Sequence, residues 1–245
     1  MEQQNIINFD SPEELAKGFA HMLSVKITDI LKAKDELNIA LSGGNTPIEL
    51  FKILAAEYKD KIEWNKINFY WVDERCVPPD SPDSNFGNAY NNLFRFINLS
   101  PARLHRIKGE ADPKKEAMRY SDLVKHNVPQ NVTLPHFDII LLGLGDDGHT
   151  ASIFPNQMQL LTSEKLYETA IQPKTGKTRI TMTGNLINNA KYIYFLISGN
   201  GKSEVVNAIL NSSEAADEYP ANFIKPVDGE LVWVVDKSAI ELLMQ

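Results

Sequence analysis

Residues 137–155 read FDIILLGLGDDGHTASIFP, and this stretch decides the expected fold. Its first part is mostly apolar, has the length of one buried strand and ends at a glycine. Similar apolar runs occur elsewhere in the chain, with helical patterns between them. Because parallel neighbours are usually joined through a helix, this alternation predicts a doubly wound, mostly parallel α/β sheet with helices on both faces. The predicted strands are Leu37–Leu41, Ile67–Val72, Phe137–Leu142, Tyr192–Ile197 and Leu231–Val235.

The N-terminus of the first predicted helix is well defined by the sequence. Ser11 is a capping residue, Pro12 suits the first helical position, and Glu14 completes a capping box. No internal repeat and no low-complexity linker divides the chain, so a single domain over residues 1–245 is predicted. Further helices are expected at residues 47–58, 84–97, 113–127, 201–210 and 237–244.

The composition is that of a soluble globular enzyme. Of the 245 residues, 43% are hydrophobic and 23% are charged, which argues against disordered, collagen-like and coiled-coil proteins. No apolar run approaches the roughly 18 residues that span a membrane, and the first residues lack a signal-peptide pattern. A cytoplasmic protein without a membrane partner is therefore expected. The single cysteine, Cys76, excludes an internal disulfide and a cysteine-based metal site.

The net charge limits the partners further. The chain has 25 basic and 32 acidic residues, a net charge of −7, and no long basic run, so nucleic acid is not expected to bind. An anionic ligand would have to be attracted by local cations against this overall field.

The segment after the first predicted strand is a candidate phosphate site. Gly43 and Gly44 let the backbone turn tightly and approach a ligand, while Thr46 is expected to cap a helix in which Pro47 takes the first position. Free amides at such a helix start bind anions. A tight turn with an ordinary cap is the alternative. The segment is not a Walker loop, because the Gly-Lys-Ser/Thr ending is missing.

Three cations are candidates for the same ligand. Arg75 ends the charged Asp73-Glu74-Arg75 run after the second strand and offers a planar fork of donors. Arg179 and Lys202 occur later, and Lys202 follows two glycines at an expected helix start. Alternatively, Arg75 forms a local ion pair and Lys202 is an ordinary surface residue.

The glycines after the third strand match a dinucleotide fingerprint only superficially. Gly143, Gly145 and Gly148 have the right spacing, but Pro155 arrives seven residues after the last of them, where a long helix should continue. A nicotinamide cofactor is therefore not predicted.

Asp147 and His149 are the candidate catalytic pair within this stretch. A carboxylate beside an imidazole orients the ring and supports its protonated form, which is what a general base requires. A structural histidine that binds backbone is the alternative. His149 differs from the other histidines in lying in a loop that should face a ligand.

Taken in order, these segments resemble the 6-phosphogluconolactonase family, within a wider group of folds that includes glucosamine-6-phosphate deaminase. Deaminases of this fold typically carry Asp-Glu-Tyr at residues 73–75 and Gly-His-Ile-Ala-Phe-Asn-Glu at residues 148–154, and both stretches differ in this chain. The lactonase is therefore favoured over a deaminase or a non-catalytic sugar-phosphate binding module. The matching segments are Ser42–Pro47, Asp73–Arg75 with Ser84-Asn85, Phe137–Pro155, Arg179–Thr181, Gly199–Lys202 and Trp233–Asp236.

The resemblance implies hydrolysis of 6-phospho-D-glucono-1,5-lactone to 6-phospho-D-gluconate in the oxidative pentose phosphate pathway, without a metal or an organic cofactor. His149 is expected to act as the base, held by Asp147, in a monomer or small homo-oligomer whose partner is the small sugar phosphate. Backbone amides of the glycine-rich loop or Arg75 would stabilise the oxyanion. The residues expected to bind the phosphate are Gly43, Gly44, Thr46, Arg75, Arg179 and Lys202.

Overall fold

The computed structural model describes residues 5–132 and 134–243, and within those ranges it contains eleven strands and six α-helices. The strands are β1 (Asn5–Phe9), β2 (Leu37–Leu41), β3 (Ile67–Trp71), β4 (Asp73–Arg75), β5 (Gln130–Asn131), β6 (Leu134–Pro135), β7 (Ile139–Leu142), β8 (Tyr167–Ile171), β9 (Thr178–Met182), β10 (Tyr192–Ile197) and β11 (Glu230–Asp236). The helices are α1 (Pro12–Leu31), α2 (Asn45–Glu57), α3 (Asn85–Asn92), α4 (Pro113–Asn127), α5 (Gly184–Ile187) and α6 (Ser203–Leu210).

Six parallel strands form the central sheet, in the order β1, β11, β10, β7, β2, β3. The expected parallel α/β fold is confirmed, and all five predicted strands lie in this sheet. Every residue of β2, β3 and β7 is buried, as in a parallel sheet that is covered on both faces. The edge strand β1 was not predicted, because it is short, half polar and largely exposed.

A second, antiparallel sheet was also not predicted. Its order is β4, β9, β8, and β4 pairs with β9 so that Asp73 faces Thr181 and Arg75 faces Arg179. Three consecutive charged residues have low strand propensity, so β4 gives no local indication of a strand. Its partner lies far along the chain, and only the folded protein reveals the pairing.

The helix starts agree with the sequence in α1 and differ in α2. The Glu14 amide donates to Ser11 Oγ at 3.2 Å, so Ser11 caps α1 as predicted. Helix α2 begins earlier than expected, with Gly44 at the N-cap position, so the prediction that Thr46 caps it is wrong. Gly44 has a φ of 106°, which glycine adopts readily and which starts the helix two residues sooner.

The remaining helices fit with small changes. Helix α4 matches the expected residues 113–127, whereas the helix expected at 84–97 ends at Asn92 and is followed by a short 3₁₀ turn. The segment expected at 237–244 is a 3₁₀ region, Lys237–Leu243. Within residues 5–132 and 134–243, no helix is both long and apolar enough to cross a membrane.

Candidate active site

The loops that follow β2, β7 and β10 meet at one edge of the sheet, because these strands are parallel neighbours with β7 in the middle. The loop after β7, residues 143–154, is called the His149 loop here. A side chain at Gly143 would contact Ser42 Oγ at 3.8 Å on one side. On the other side, the Lys202 ammonium binds the Asp146 carboxylate. The His149 loop therefore lies between the other two.

Asp147 and His149 form a hydrogen-bonded pair within this loop. His149 Nδ1 donates to Asp147 Oδ1 at 2.5 Å, and the His149 amide donates to the same oxygen at 3.2 Å. The imidazole packs against Phe154, with 4.7 Å between ring centroids. The side chains are 30% and 37% exposed, for His149 and Asp147 respectively, so the pair reaches solvent and a ligand. The bond occupies Nδ1 and leaves Nε2 on the opposite side of the ring.

The charge state of Asp147 follows from this contact. Burial raises the pKa of Asp147, but the hydrogen bond from His149 and the charge of the ring outweigh burial and lower that pKa to about 2. The carboxylate is therefore ionised near neutral pH, and it is suited to accept a hydrogen bond and to stabilise a protonated imidazole.

The glycines of the His149 loop make room for the pair. A Cβ at Gly145 would lie 2.0 Å from His149 Nδ1 and 2.6 Å from Asp147 Oδ1, so only glycine fits. Gly148 has a φ of 78°, and a Cβ there would lie 2.3 Å from the Tyr219 ring. Gly145 therefore leaves room for the Asp147–His149 hydrogen bond, and Gly148 leaves room for Tyr219. In place of the long helix of a dinucleotide site, a 3₁₀ segment, Pro155–Leu161, follows.

Gly43 and Gly44 bring the backbone close to a neighbouring helix. A Cβ at Gly43 would lie 1.8 Å from Asn85 Oδ1, so the loop packs directly on the start of α3. No side chain among the described residues caps α2, and Thr46 lies half-buried in its first turn. The first amides of this helix are therefore available to an anion.

Arg75 and Arg179 are cross-strand neighbours of β4 and β9. Arg75 Nη1 donates to the Asp83 carbonyl oxygen at 2.7 Å, while Arg179 Nη1 lies 3.9 Å from Asp73 Oδ2. Burial lowers the pKa of Arg179, although the charge of Asp73 opposes this change. Within the described chain, the Nε atoms of both arginines are buried without a hydrogen-bond acceptor. Two neighbouring guanidinium groups of the same charge favour an anionic ligand.

A pocket opens beside the two arginines. It has a volume of about 570 Å³ and is also lined by Lys177, Thr178 and Gln172. Lys177 Nζ forms an ion pair with Asp83 at 3.2 Å across the rim. The pocket is therefore rich in positive groups, in contrast to the overall charge of −7.

Lys202 lies where the sequence places it, but it is already paired. Its ammonium binds Asp146, and the side chain is 23% exposed. The nearby Gly199 amide donates to Asp236 Oδ2 at 3.1 Å, and the Ala239 amide donates to Asp236 Oδ1 at 2.9 Å. Asp236 thus accepts from the first turn of the 3₁₀ segment Lys237–Leu243, and the same carboxylate holds the glycine loop before Lys202.

A buried polar cluster that was not predicted lies next to the arginines. Ser152 Oγ donates to Asp73 Oδ2 at 2.7 Å, the Ser152 amide donates to Thr181 Oγ1 at 3.0 Å, and Asn85 Nδ2 donates to Asp73 Oδ1 at 3.1 Å. One feature of the sequence indicates this cluster. Ser152 lies in an apolar run between Ala151 and Ile153, and a polar side chain buried in such a run needs a hydrogen-bond partner. Asp73 thus joins the His149 loop to the start of α3.

A parallel α/β sheet with an imidazole, a carboxylate and arginines beyond its carboxyl ends is typical of an enzyme that acts on a small anionic substrate. The chain belongs to the glucosamine-6-phosphate isomerases/6-phosphogluconolactonase family, whose model matches residues 10–233.

Known relatives place the chain further within this family. A 6-phosphogluconolactonase of Haemophilus influenzae is 40% identical over 208 residues, which are 84% of this chain and 88% of that protein. A solved structure described as devB protein superimposes with a TM-score of 0.92 at 37% identity and covers 98% of this chain and 100% of its own. A monomeric glucosamine-6-phosphate deaminase has a TM-score of 0.79 at 24% identity and the same coverage, and this likeness shows the fold alone.

Proposed function

We propose that the protein hydrolyses 6-phospho-D-glucono-1,5-lactone to 6-phospho-D-gluconate, as a 6-phosphogluconolactonase of the oxidative pentose phosphate pathway. The observation that carries the proposal is the 2.5 Å hydrogen bond between His149 and Asp147 at the carboxyl edge of the sheet. The relative that is 40% identical and named 6-phosphogluconolactonase supports it. Arg75 stands where deaminases of this fold typically carry tyrosine, which disfavours the deaminase alternative.

His149 serves as the general base in the proposed mechanism. Nε2 takes a proton from a water molecule, whose oxygen attacks the lactone carbonyl carbon. When the bond between that carbon and the ring oxygen breaks, the imidazolium returns the proton to the ring oxygen. Asp147 holds Nδ1 and stabilises the imidazolium. Such proton transfer accelerates a reaction about 10²- to 10⁴-fold.

The negative charge on the carbonyl oxygen needs a donor as the water attacks. Backbone amides of the His149 loop are the proposed donors, because they are fixed before the substrate arrives and because Arg75, the other candidate, is assigned to the remote phosphate. His149 activates the water and the loop amides take the charge of the carbonyl oxygen, so we propose that the reaction needs neither a metal nor an organic cofactor.

The phosphate group of the substrate is proposed to bind Arg75 and Arg179 together with the amides near Gly43 and Gly44. Thr46 offers a hydroxyl in the same turn, and Lys202 would exchange Asp146 for the anion. The phosphate is remote from the reacting carbon, so its binding serves to orient the lactone over His149.

Replacing Arg179 by glutamine tests the phosphate site. A hydrogen bond to a charged group contributes about 1.5–3 kcal/mol, so kcat/KM is expected to fall roughly 10- to 150-fold. The matched control is Arg106→Gln, whose guanidinium binds Glu110 through two bonds of 2.6 and 2.9 Å outside the candidate site. Initial rates over a range of lactone concentrations measure both variants. Equal values for Arg179→Gln and the wild type would remove Arg179 from the site.

An assay of product formation tests the activity itself. Purified protein is expected to form 6-phosphogluconate from the freshly prepared lactone faster than the spontaneous opening, and to release no ammonia from glucosamine 6-phosphate. Ammonia release would favour the deaminase. Binding of 6-phosphogluconate without turnover would favour the binding module.

The setting of the enzyme is proposed from the same chemistry. A phosphorylated sugar lactone is a small metabolite, so we propose a cytoplasmic enzyme. We further propose that residues 1–245 form a single domain and that the enzyme is a monomer or a small homo-oligomer.

A further inference from the structure

The register of β4 and β9 places two residue pairs side by side. Asp73 faces Thr181, and Arg75 faces Arg179. Side chains two residues apart in a strand point to the same face, about 7 Å from each other. The Asp73–Thr181 pair is therefore the neighbour of the arginine pair on one face of the antiparallel sheet.

Ser152 of the His149 loop binds both members of the first pair. Its hydroxyl donates to Asp73 Oδ2 at 2.7 Å, and its amide donates to Thr181 Oγ1 at 3.0 Å. Ser152 and Thr181 are fully buried, and Asp73 is 4% exposed. No water competes for buried bonds of this kind, so their loss leaves polar groups unsatisfied.

The backbone between His149 and Ser152 is strained. Ala151 has a φ of 50°, a left-handed conformation that residues with a side chain rarely adopt. The turn is closed by a hydrogen bond of 2.9 Å from the Ile153 amide to the Thr150 carbonyl oxygen. Such a conformation persists only where surrounding contacts impose it. Ser152 is the residue after Ala151, so its hydrogen bonds to Asp73 and Thr181 are in place to impose this conformation.

We propose that Ser152 is a positioning residue that clasps the His149 loop to β4 and β9 and so fixes the spacing between the imidazole and the arginine pair. This inference rests on the proposed function, because it assumes that one substrate bridges His149 and the arginines. The substrate phosphate is joined to the lactone ring through the exocyclic C6, so its distance from the lactone carbonyl varies only within a short range. A displacement of the imidazole by about 1 Å costs roughly 10²-fold in rate.

The test is the Ser152→Ala variant, compared with Ser121→Ala. Ser152→Ala removes the hydroxyl contact with Asp73 and leaves the amide contact with Thr181. The Ser121 hydroxyl makes two contacts: it donates to the Ala117 carbonyl oxygen at 2.7 Å and accepts from the Tyr167 amide at 3.1 Å, which ties α4 to β8. Both variants are expected to lower Tm by roughly 2–12 °C. Only Ser152→Ala is expected to lower kcat, by about 10- to 100-fold, while the Kd of 6-phosphogluconate changes by less than about threefold.

A second variant keeps the test decisive if Ser152→Ala does not fold. Thr181→Val preserves the shape of the side chain and removes the acceptor of the Ser152 amide, so the same drop in kcat with nearly constant Kd is expected. Wild-type kcat in the folded variants, or an equal loss in Ser121→Ala, would overturn the clasp. Measuring the wild type and His149→Ala in the same series separates the two proposals. If the wild type hydrolyses the lactone and His149→Ala does not, only the clasp has failed; if the wild type forms no 6-phosphogluconate above the spontaneous rate, the proposed function has failed.

Discussion

Replacing His149 by alanine is expected to lower kcat for lactone hydrolysis about 10²- to 10⁴-fold, the usual contribution of a general base. The variant loses the nitrogen that takes the proton from water and returns it to the ring oxygen. The arginines remain in place, so 6-phosphogluconate should bind with nearly the wild-type Kd. The measurement is a stopped assay of phosphogluconate formation from which the spontaneous opening of the lactone is subtracted, together with calorimetric titration of the product.

The matched control for this variant is His126→Ala. His126 lies exposed in the last turn of α4 and has no part in the candidate site, so the substitution should leave kcat and KM unchanged. Retention of more than a tenth of the wild-type kcat in His149→Ala would show that another group activates the water.

Replacing Asp147 by asparagine is expected to lower kcat about 10²-fold, because the imidazole loses the charge that stabilises its protonated form and the acceptor that fixes its orientation. Burial raises the pKa of Asp147, but the bond from His149 and the charge of the ring lower it to about 2. The carboxylate is therefore charged throughout the pH range of the assay.

The same pKa gives a stability prediction with a definite sign. A carboxyl group whose pKa is lower in the folded state stabilises the fold above its unfolded value of about 3.9, and this contribution disappears as the pH falls towards 2. Wild-type stability should therefore decrease more steeply than that of Asp147→Asn between about pH 4 and pH 2. Thermal melts at stepped pH measure this difference, with Asp122→Asn on the surface of α4 as the control. Full activity in Asp147→Asn would contradict its proposed role.

The central sheet was predictable because its strands carry their own evidence. Strands β2 and β10 have the predicted bounds, since each is a mostly apolar run, interrupted in β2 only by Asn38, that ends at a polar and glycine-containing segment. Helix α4 was equally clear, because Pro113 marks its start and its apolar residues recur with helical spacing. Strand β1 and the start of α2 escaped prediction: the first has too little apolar surface, and the second begins at a glycine instead of a capping side chain.

The sequence by itself determined the parallel α/β fold and the Asp147–His149 pair. The pair depends on two residues in one loop and on glycines that leave room for them, so local spacing is sufficient to describe it. Only the tertiary structure decided which distant groups lie beside this loop. Ser152 binds Asp73, which lies 79 residues away in the sequence, and Lys202 binds Asp146, which lies 56 residues away. Arg75 faces Arg179 because of the register of an antiparallel sheet that the sequence does not predict. Such contacts are set by how the layers pack, and packing depends on the whole chain at once.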